Sequence, residues 1–160
     1  MFVRTAGERD LVAVRALLVE TWHATYDAIY GAERVTEITD EWHSIASLKA
    51  RLAKPNSEFL VADDGKRIGG MAFAEGAELI MLKQIYVLPD LQGRGIGGML
   101  LDEIIESFPE ARAIRVEVEE QNTRAIAFYE ANGFVRSGDV GDHTGALGKP
   151  TLVYRRPLLG

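Results

Sequence analysis

The sequence LIMLKQIYV at residues 79–87, followed by QGRGIGG at residues 92–98, decides the fold of this chain. The first segment is apolar along most of its length, which predicts a largely buried strand that Pro89 ends. Beyond the glycines, apolar residues recur at helical spacing and predict a helix to about Glu106. A strand therefore leads through a glycine-rich turn directly into the N-terminus of a helix.

The glycine-rich turn has the chemistry of a phosphate-binding loop. Glycine lets the backbone approach an anion closely, and both the first N–H groups of a helix and its dipole attract negative charge. The pattern Gly93-x-Gly95-x-x-Gly98 also matches a dinucleotide fingerprint, with Glu117 about 20 residues further on, near where a ribose-binding acid is expected. A connection that binds no ligand is the third interpretation that the pattern alone leaves open.

A second segment separates these interpretations. NTRAIAFYEANGF at residues 122–134 follows AIRVEV at residues 113–118, which alternates like a strand. Together with the glycine turn, it resembles the GNAT acetyltransferase superfamily. That family's acetyl-CoA signature, Gln or Arg-x-x-Gly-x-Gly or Ala, is matched by Gln92, Gly95 and Gly97. Its second signature, Asn-x-x-Ala-x-x-Phe-Tyr-x-x-x-Gly-Phe, is matched by Asn122, Ala125, Phe128, Tyr129, Gly133 and Phe134.

The resemblance covers roughly residues 79–134 and implies where acetyl-CoA, the cosubstrate of the family, binds. Backbone N–H groups of the glycine turn are expected to hold its diphosphate. The strand end at Tyr86 and Val87 is expected to splay from its neighbour near Glu117 and Val118, so that the pantetheine arm enters the gap. Asn122 is expected to cap a helix, and capping alone is an open alternative to a cofactor contact. The expected cofactor-binding residues are Tyr86, Val87, Gln92, Gly93, Arg94, Gly95, Ile96, Gly97, Gly98, Asn122 and Phe128.

Transfer of the acetyl group to an amine requires a neutral amine, a polarised carbonyl and a proton for the departing thiolate. Tyr129 is the candidate proton donor, and the alternative is that its ring only packs in the core. The backbone N–H of Val87 is the candidate group that polarises the thioester carbonyl. Glu117 aligns with a strand-end glutamate that acts as base in the ribosomal-protein N-terminal acetyltransferases, and the alternative is a solvated strand residue.

The acceptor side carries the least specific predictions. In this superfamily the helical region of the first half covers the acceptor cleft, and Glu75 and Glu78 flank the turn into the central strand, from which they could act through water. A loop with Asp139, Asp142 and His143 precedes the last strand. The three histidines lack the spacing of a metal site, so no metal is predicted. The candidate acceptor contacts are Trp22, Tyr26, Tyr30, Trp42, Glu75 and Glu78.

Composition predicts one domain over residues 1–160, since 160 residues with 47% hydrophobic content suffice for a single core. There is no cysteine, which excludes disulfides and a cysteine acyl-enzyme. The formal charge of −6 argues against non-specific nucleic-acid binding and favours cationic acceptors. No apolar run reaches the ~18 residues of a membrane span, and no signal-peptide core is evident, so a cytoplasmic protein without a membrane partner is expected. A homodimer is expected from family habit only.

The fold class predicted is α/β (α+β), with a GNAT-like mixed, mostly antiparallel sheet of about six to seven strands, splayed between the fourth and fifth, and flanked by about four helices. A short strand and two helices, at about residues 9–26 and 40–53, are expected before the main sheet. The turn at residues 63–66 predicts a hairpin. The strands are predicted at residues 2–5, 58–62, 68–74, 79–87, 113–118, 134–140 and 151–156.

The expected function is that of an acetyl-CoA-dependent N-acetyltransferase acting on a primary amine of a small molecule or peptide, by direct attack in a ternary complex. One alternative is a non-catalytic acyl-CoA-binding or regulatory module on the same fold. The other is an NAD-binding oxidoreductase, which the short remainder of about 60 residues after Gly98 disfavours.

Overall fold

The architecture comes from a computed structural model that describes residues 1–144 and 150–158, without the side chains of residues 140, 142–144 and 150. One seven-stranded sheet has the order β1-β2-β3-β4-β5-β7-β6. Its strands are β1 (Phe2–Thr5), β2 (Ser57–Asp63), β3 (Ile68–Gly76), β4 (Leu79–Val87), β5 (Ala113–Val118), β6 (Val135–Thr144) and β7 (Pro150–Pro157). The helices are α1 (Leu11–Tyr30), α2 (Ala32–Trp42), α3 (Ile45–Leu52), α4 (Ile96–Glu106) and α5 (Thr123–Ala131).

All neighbouring strands run antiparallel except β4 and β5, which are parallel and joined through α4. The predicted mixed, mostly antiparallel sheet is therefore confirmed. In the hairpin between β2 and β3, Asp64 Oδ1 accepts hydrogen bonds from the N–H groups of Lys66 and Arg67, both at 2.8 Å. This Asx-type turn explains why residues 63–66 were recognisable as a turn.

The region before the main sheet contains one helix more than the sequence predicted. No helix was predicted between residues 26 and 40, but α2 occupies most of that range, and Gly31, with φ 87°, is a one-residue corner between α1 and α2. The second helix carries few apolar residues, yet Val35 and Ile38 are buried against Trp22 and Tyr26 of α1. Tertiary packing therefore stabilises this helix, although the many charged residues of its sequence are also typical of a loop.

The sheet is covered on both faces. On one face, α4 and α5 pack on the apolar side of β2 to β5, through residues such as Leu100, Ile104 and Tyr129. On the other face, α1 and α3 pack over the opposite side of β2 and β3, with Leu18 and Leu48 buried. Among the described helices, none has the length and apolarity needed to cross a bilayer.

The centre of the sheet opens where β4 contains a β-bulge. Phe73 of β3 pairs with Gln84, and the next residue, Ala74, pairs with Leu82. Lys83 is therefore the extra residue of the bulge, with no residue opposite it on β3. Pairing between β4 and β5 runs only from Leu79 with Ala113 to Leu82 with Val116. Beyond this point the two strands diverge, and residues 83–87 have no strand neighbour on the β5 side. The predicted splay between the fourth and fifth strands is confirmed.

Candidate active site

A cleft of about 1240 Å³ occupies the opening between β4 and β5. One wall is formed by the glycine turn, the start of α4 and one side of α5. The other wall comes from α1 and the end of α2, with Trp22, Tyr26 and Trp42. The volume exceeds the roughly 300–1,000 Å³ of a single drug-sized site, so two ligands can meet inside it.

The glycine turn forms an open cradle at the floor of the cleft. Gly93 and Gly95 have φ values of 81° and 82°, in the left-handed region that favours glycine. A Cβ added at either position, or at Gly98, would meet no atom within 4 Å. Gly95 is the N-cap of α4, so the N–H groups that follow it lack helical partners and can bind an anion.

Two further residues of the turn have distinct environments. Gly97 lies directly under the ring of Phe128, and a Cβ there would approach Cε1 of that ring to 2.8 Å. Ile96 is buried and anchors the start of α4 in the core. Arg94 is exposed and is the one residue of the segment 92–98 that does not line the cleft wall.

The end of β4 presents its peptide groups to the cleft. Leu88 N–H donates to Gly69 C=O on β3 at 2.9 Å. In a strand the N–H and C=O of one residue point to the same side, and those of the next residue point to the opposite side. Since the Leu88 N–H points toward β3, the N–H and C=O of Val87 face the opening. The Val87 C=O accepts a hydrogen bond from Nε2 of Gln92 at 3.1 Å. Oε1 of Gln92 in turn accepts one from the guanidinium of Arg124.

Asn122 connects the two walls. Its Oδ1 accepts a hydrogen bond from the N–H of Ala125 at 3.2 Å, so it caps α5 as the sequence predicted. Its Nδ2 donates to the hydroxyl of Tyr26 at 3.1 Å, across 96 residues of sequence. Burial raises the pKa of Tyr26 well above its usual range, and the phenol of Tyr86 adds to the effect.

Tyr129 lies on α5 where the two walls meet. Its ring packs between Phe128 and Phe134, with centroids 5.5 and 5.3 Å away, and only 7% of the residue is exposed. Burial raises its pKa, to which Tyr26 contributes, and burial likewise raises the pKa of Tyr86. Tyr129 lines the cleft, and none of the described residues forms a hydrogen bond with its hydroxyl. The group is therefore a neutral phenol near an open space.

Glu117 lines the cleft on β5 and is held on two sides. Its Oε1 accepts a hydrogen bond from Thr151 Oγ1 at 2.6 Å, and its Oε2 lies 3.4 Å from a guanidinium nitrogen of Arg115. The side chains of Glu117 and Arg115 are each 11% exposed. Glu117 is thus an oriented, largely buried carboxyl, and the alternative of a solvated strand residue does not describe it.

The wall formed by α1 and the end of α2 is aromatic. Trp22 packs against Tyr26 and Trp42, with ring centroids 4.6 and 5.9 Å away. Trp42 stands at the rim and is 51% exposed. Tyr30 stacks on Tyr26 at 5.4 Å but does not line the cleft, so it supports the wall from behind.

The structure does not bring Glu75 and Glu78 to the cleft. Glu75 is ion-paired with Lys54 and lies 3.9 Å from Lys83. Glu78 is exposed in the turn before β4, whereas the cleft opens at the other end of that strand. Asp139 is exposed away from the cleft, and the side chains of Asp142 and His143 lie outside the described residues.

Several cleft residues were missed by sequence reasoning. Arg115 lies two residues before Glu117 on β5, a spacing that places both on one face and could have been noticed. Thr151 reaches Glu117 only through the pairing of β5 with β7. Gln84 and Arg124 also line the cleft, and only the folded arrangement reveals them.

Known proteins resemble this arrangement. Residues 13–134 match the sequence profile of the Acetyltransferase (GNAT) family. The peptidyl-lysine N-acetyltransferase YiaC of Escherichia coli is 28% identical over 135 residues, 82% of each chain. The peptidyl-lysine N-acetyltransferase YjaB of Salmonella typhimurium is 38% identical over 76 residues, 44% of this chain and about half of that protein, at 48%. The crystal structure of the PaiA N-acetyltransferase from Thermoplasma acidophilum in complex with coenzyme A superimposes with a TM-score of 0.83, 23% identity and 98% of each chain covered.

Proposed function

Because this chain belongs to the Acetyltransferase (GNAT) family, we propose that it transfers an acetyl group from acetyl-CoA to a primary amine of a small molecule or peptide. The amine attacks the thioester directly in a ternary complex. The amine nitrogen bonds to the carbonyl carbon, the carbon–sulfur bond breaks, and the products are an amide and coenzyme A. The proton lost by the amine and the proton gained by the thiolate each need a carrier.

The observation that carries this proposal is the splay of β4 from β5 directly above an open glycine turn. An unpaired strand edge offers N–H and C=O groups to an extended, amide-containing arm such as pantetheine. The left-handed glycines and the N-terminus of α4 suit a diphosphate at the end of that arm. An added Cβ at Gly93, Gly95 or Gly98 would meet no atom within 4 Å, which leaves room for a diphosphate at the turn.

The chain's own groups fit the three chemical requirements. The N–H of Val87 faces the opening and is proposed to polarise the carbonyl, as an oxyanion-hole donor does. Tyr129 is proposed to protonate the thiolate, because burial keeps its phenol protonated. Glu117 is proposed to accept the proton of the amine, because it lines the cleft and Thr151 and Arg115 orient its carboxyl.

The need for a base depends on the acceptor. A lysine-like amine of pKa ~10.4 costs about 4.6 kcal/mol to deprotonate at pH 7, whereas an α-amino group near ~7.8 costs about 1 kcal/mol. Two relatives, YiaC and YjaB, are peptidyl-lysine N-acetyltransferases. An oriented Glu117 is consistent with the more demanding of these acceptors. A lysine in a peptide is therefore the first acceptor to test.

The test is release of free thiol from acetyl-CoA across a panel of lysine peptides, N-terminal α-amines and small polyamines. Calorimetric titrations with coenzyme A and with NAD accompany it. Amine-dependent thiol release supports the proposal and ranks the acceptors. Tight binding of coenzyme A without turnover on any amine would favour a binding or regulatory module. Binding of NAD but not of coenzyme A would instead favour the oxidoreductase.

A further inference from the structure

Arg124 is a cation at the N-terminal end of a helix, where a positive charge does not stabilise the helix. It lies in the first turn of α5 (Thr123–Ala131), which contains no acidic residue. The positive end of the helix dipole disfavours a cation there. Within the described residues, Arg124 is exposed and forms no ion pair. A cation at this position is compensated best by an anion from outside the chain.

A hydrogen bond fixes where this cation points. One guanidinium nitrogen of Arg124 donates to Oε1 of Gln92, and Nε2 of Gln92 donates to the C=O of Val87 at 3.1 Å. Gln92 immediately precedes the glycine turn, and Arg124, Gln92 and Gly93 line the same cleft. The side-chain amide of Gln92 thus links the end of β4, through its Nε2, to Arg124, through its Oε1.

We propose that Arg124 is the side-chain ligand of the acetyl-CoA diphosphate, presented to the glycine turn by Gln92. The inference rests on the proposed function, in which that turn binds the diphosphate. A guanidinium has five N–H donors, so one can hold Gln92 while others hold phosphate oxygens in the bidentate geometry that arginine favours. The backbone of the glycine turn offers only neutral N–H donors, and Arg94, the cation within the turn, does not line the cleft. Arg124 does line it and can supply the positive charge.

Coenzyme A also carries a 3′-phosphate, which has the same chemistry as a ligand. The diphosphate is the better match because Arg124 is bonded to the residue that opens the turn. Comparing coenzyme A with 3′-dephospho-coenzyme A distinguishes the two. Loss of a diphosphate contact weakens both ligands by the same factor, whereas loss of a 3′-phosphate contact weakens only the first.

The test is calorimetric titration of both ligands into the whole protein and into Arg124→Gln. Removal of a charge-assisted contact predicts a Kd roughly 10- to 100-fold higher for both ligands. The salt dependence of Kd should become shallower, because one fewer cation contacts phosphate. The melting temperature without ligand should stay unchanged or rise slightly, since a cation leaves the helix N-terminus.

Arg112→Gln is the matched control, because it removes an exposed arginine next to the start of β5, away from the cleft. Its Kd values should equal those of the unmodified protein. Equal affinity of Arg124→Gln and the unmodified protein for both ligands would overturn the inference, as would a loss confined to coenzyme A. Failure of the unmodified protein to bind coenzyme A would instead overturn the proposed function.

Discussion

The phenol of Tyr129 combines two properties that seldom coincide, deep burial of its ring and a hydroxyl without a hydrogen bond from any described residue. A core tyrosine normally pairs its hydroxyl with a backbone group. Burial raises the pKa of Tyr129, so it remains protonated throughout the neutral and mildly alkaline range. These properties keep the phenol protonated beside the departing thiolate, although proton transfer to that weaker base is uphill and therefore depends on close positioning of the two groups.

Tyr129→Phe should lower kcat on the order of 100-fold, the low end for a positioned acid, because a thiolate leaves readily. The KM for acetyl-CoA should change little, since the ring and its packing are retained. The measurement is steady-state thiol release between pH 6 and 9.5. The rise of the rate with pH should persist in the variant, because it reflects the acceptor amine and its base. An unchanged kcat at every pH would return Tyr129 to a purely structural role.

Neighbouring glycines of the turn should respond differently to a single added methyl group. Gly97→Ala places a Cβ 2.8 Å from the Phe128 ring, so the ring must move or the helix must shift, at a cost of about 1–3 kcal/mol. Gly98→Ala meets no atom within 4 Å and adds helix propensity, so it should keep or raise stability. Urea unfolding of both variants measures the difference. The Gly97→Ala/Phe128→Leu double variant should recover part of the loss, whereas equal stability of the two single variants would contradict this packing.

At the scale of elements, the cap of α5 also holds the acceptor wall. Asn122→Ala should cost about 1–2 kcal/mol, because the helix loses its cap and the Tyr26 hydroxyl loses its partner. Asn122→Asp should retain most of the stability, since a carboxylate caps a helix equally well. Thermal unfolding of both variants, with Tyr26→Phe as the control that removes only the cross-cleft bond, separates the two contributions. A cost in Asn122→Asp as large as that in Asn122→Ala would show that capping is not what matters.

Elements governed by local patterns could be predicted from the sequence. β4, the glycine turn and α4 follow from an apolar run, Pro89 and helical spacing, which are all short-range signals. The helix α2 was missed because charged residues dominate it, although Val35, Ile38 and Trp42 recur at helical spacing. Its apolar residues Val35 and Ile38 pack on α1. The bulge at Lys83 has no signature in the sequence, and the splay was expected only through resemblance to a family.

At the scale of the whole molecule, the cleft unites groups distant in sequence. Tyr26 meets Asn122 across 96 residues, and Glu117 meets Thr151 across 34. Gln92, Asn122 and Glu117 could be named because the resemblance to the family marks them. Their respective partners Arg124, Tyr26 and Thr151 are brought to them only by the fold. The sequence therefore named Tyr26 as an acceptor contact without its bond to Asn122, and it did not point to the other two.

The buried His43 should make the whole molecule sensitive to mild acid. It is 2% exposed, and burial, with Arg51 and Arg15 close by, lowers its pKa to about 3. Below the ordinary value of 6.5 the unfolded chain binds a proton that the folded chain refuses. The free energy of unfolding should therefore be highest above pH 6.5 and fall toward pH 3, by up to about 1.4 kcal/mol per pH unit for one proton.

Urea unfolding at intervals from pH 7.5 to 3.5 tests this, with His43→Gln expected to flatten the profile below pH 6.5. Asp10→Asn serves as the contrasting variant. Hydrogen bonds from Arg4 lower the pKa of Asp10 from 3.8 to about 2, so its contribution is present above pH 3.8 and is lost only below it. Removing Asp10 should lower stability evenly from pH 7.5 to about 5, leaving the slope that His43 produces intact. Parallel profiles for His43→Gln and the unmodified protein would mean that His43 accepts its proton in the folded state, and hence that the region between α1 and α3 opens to water.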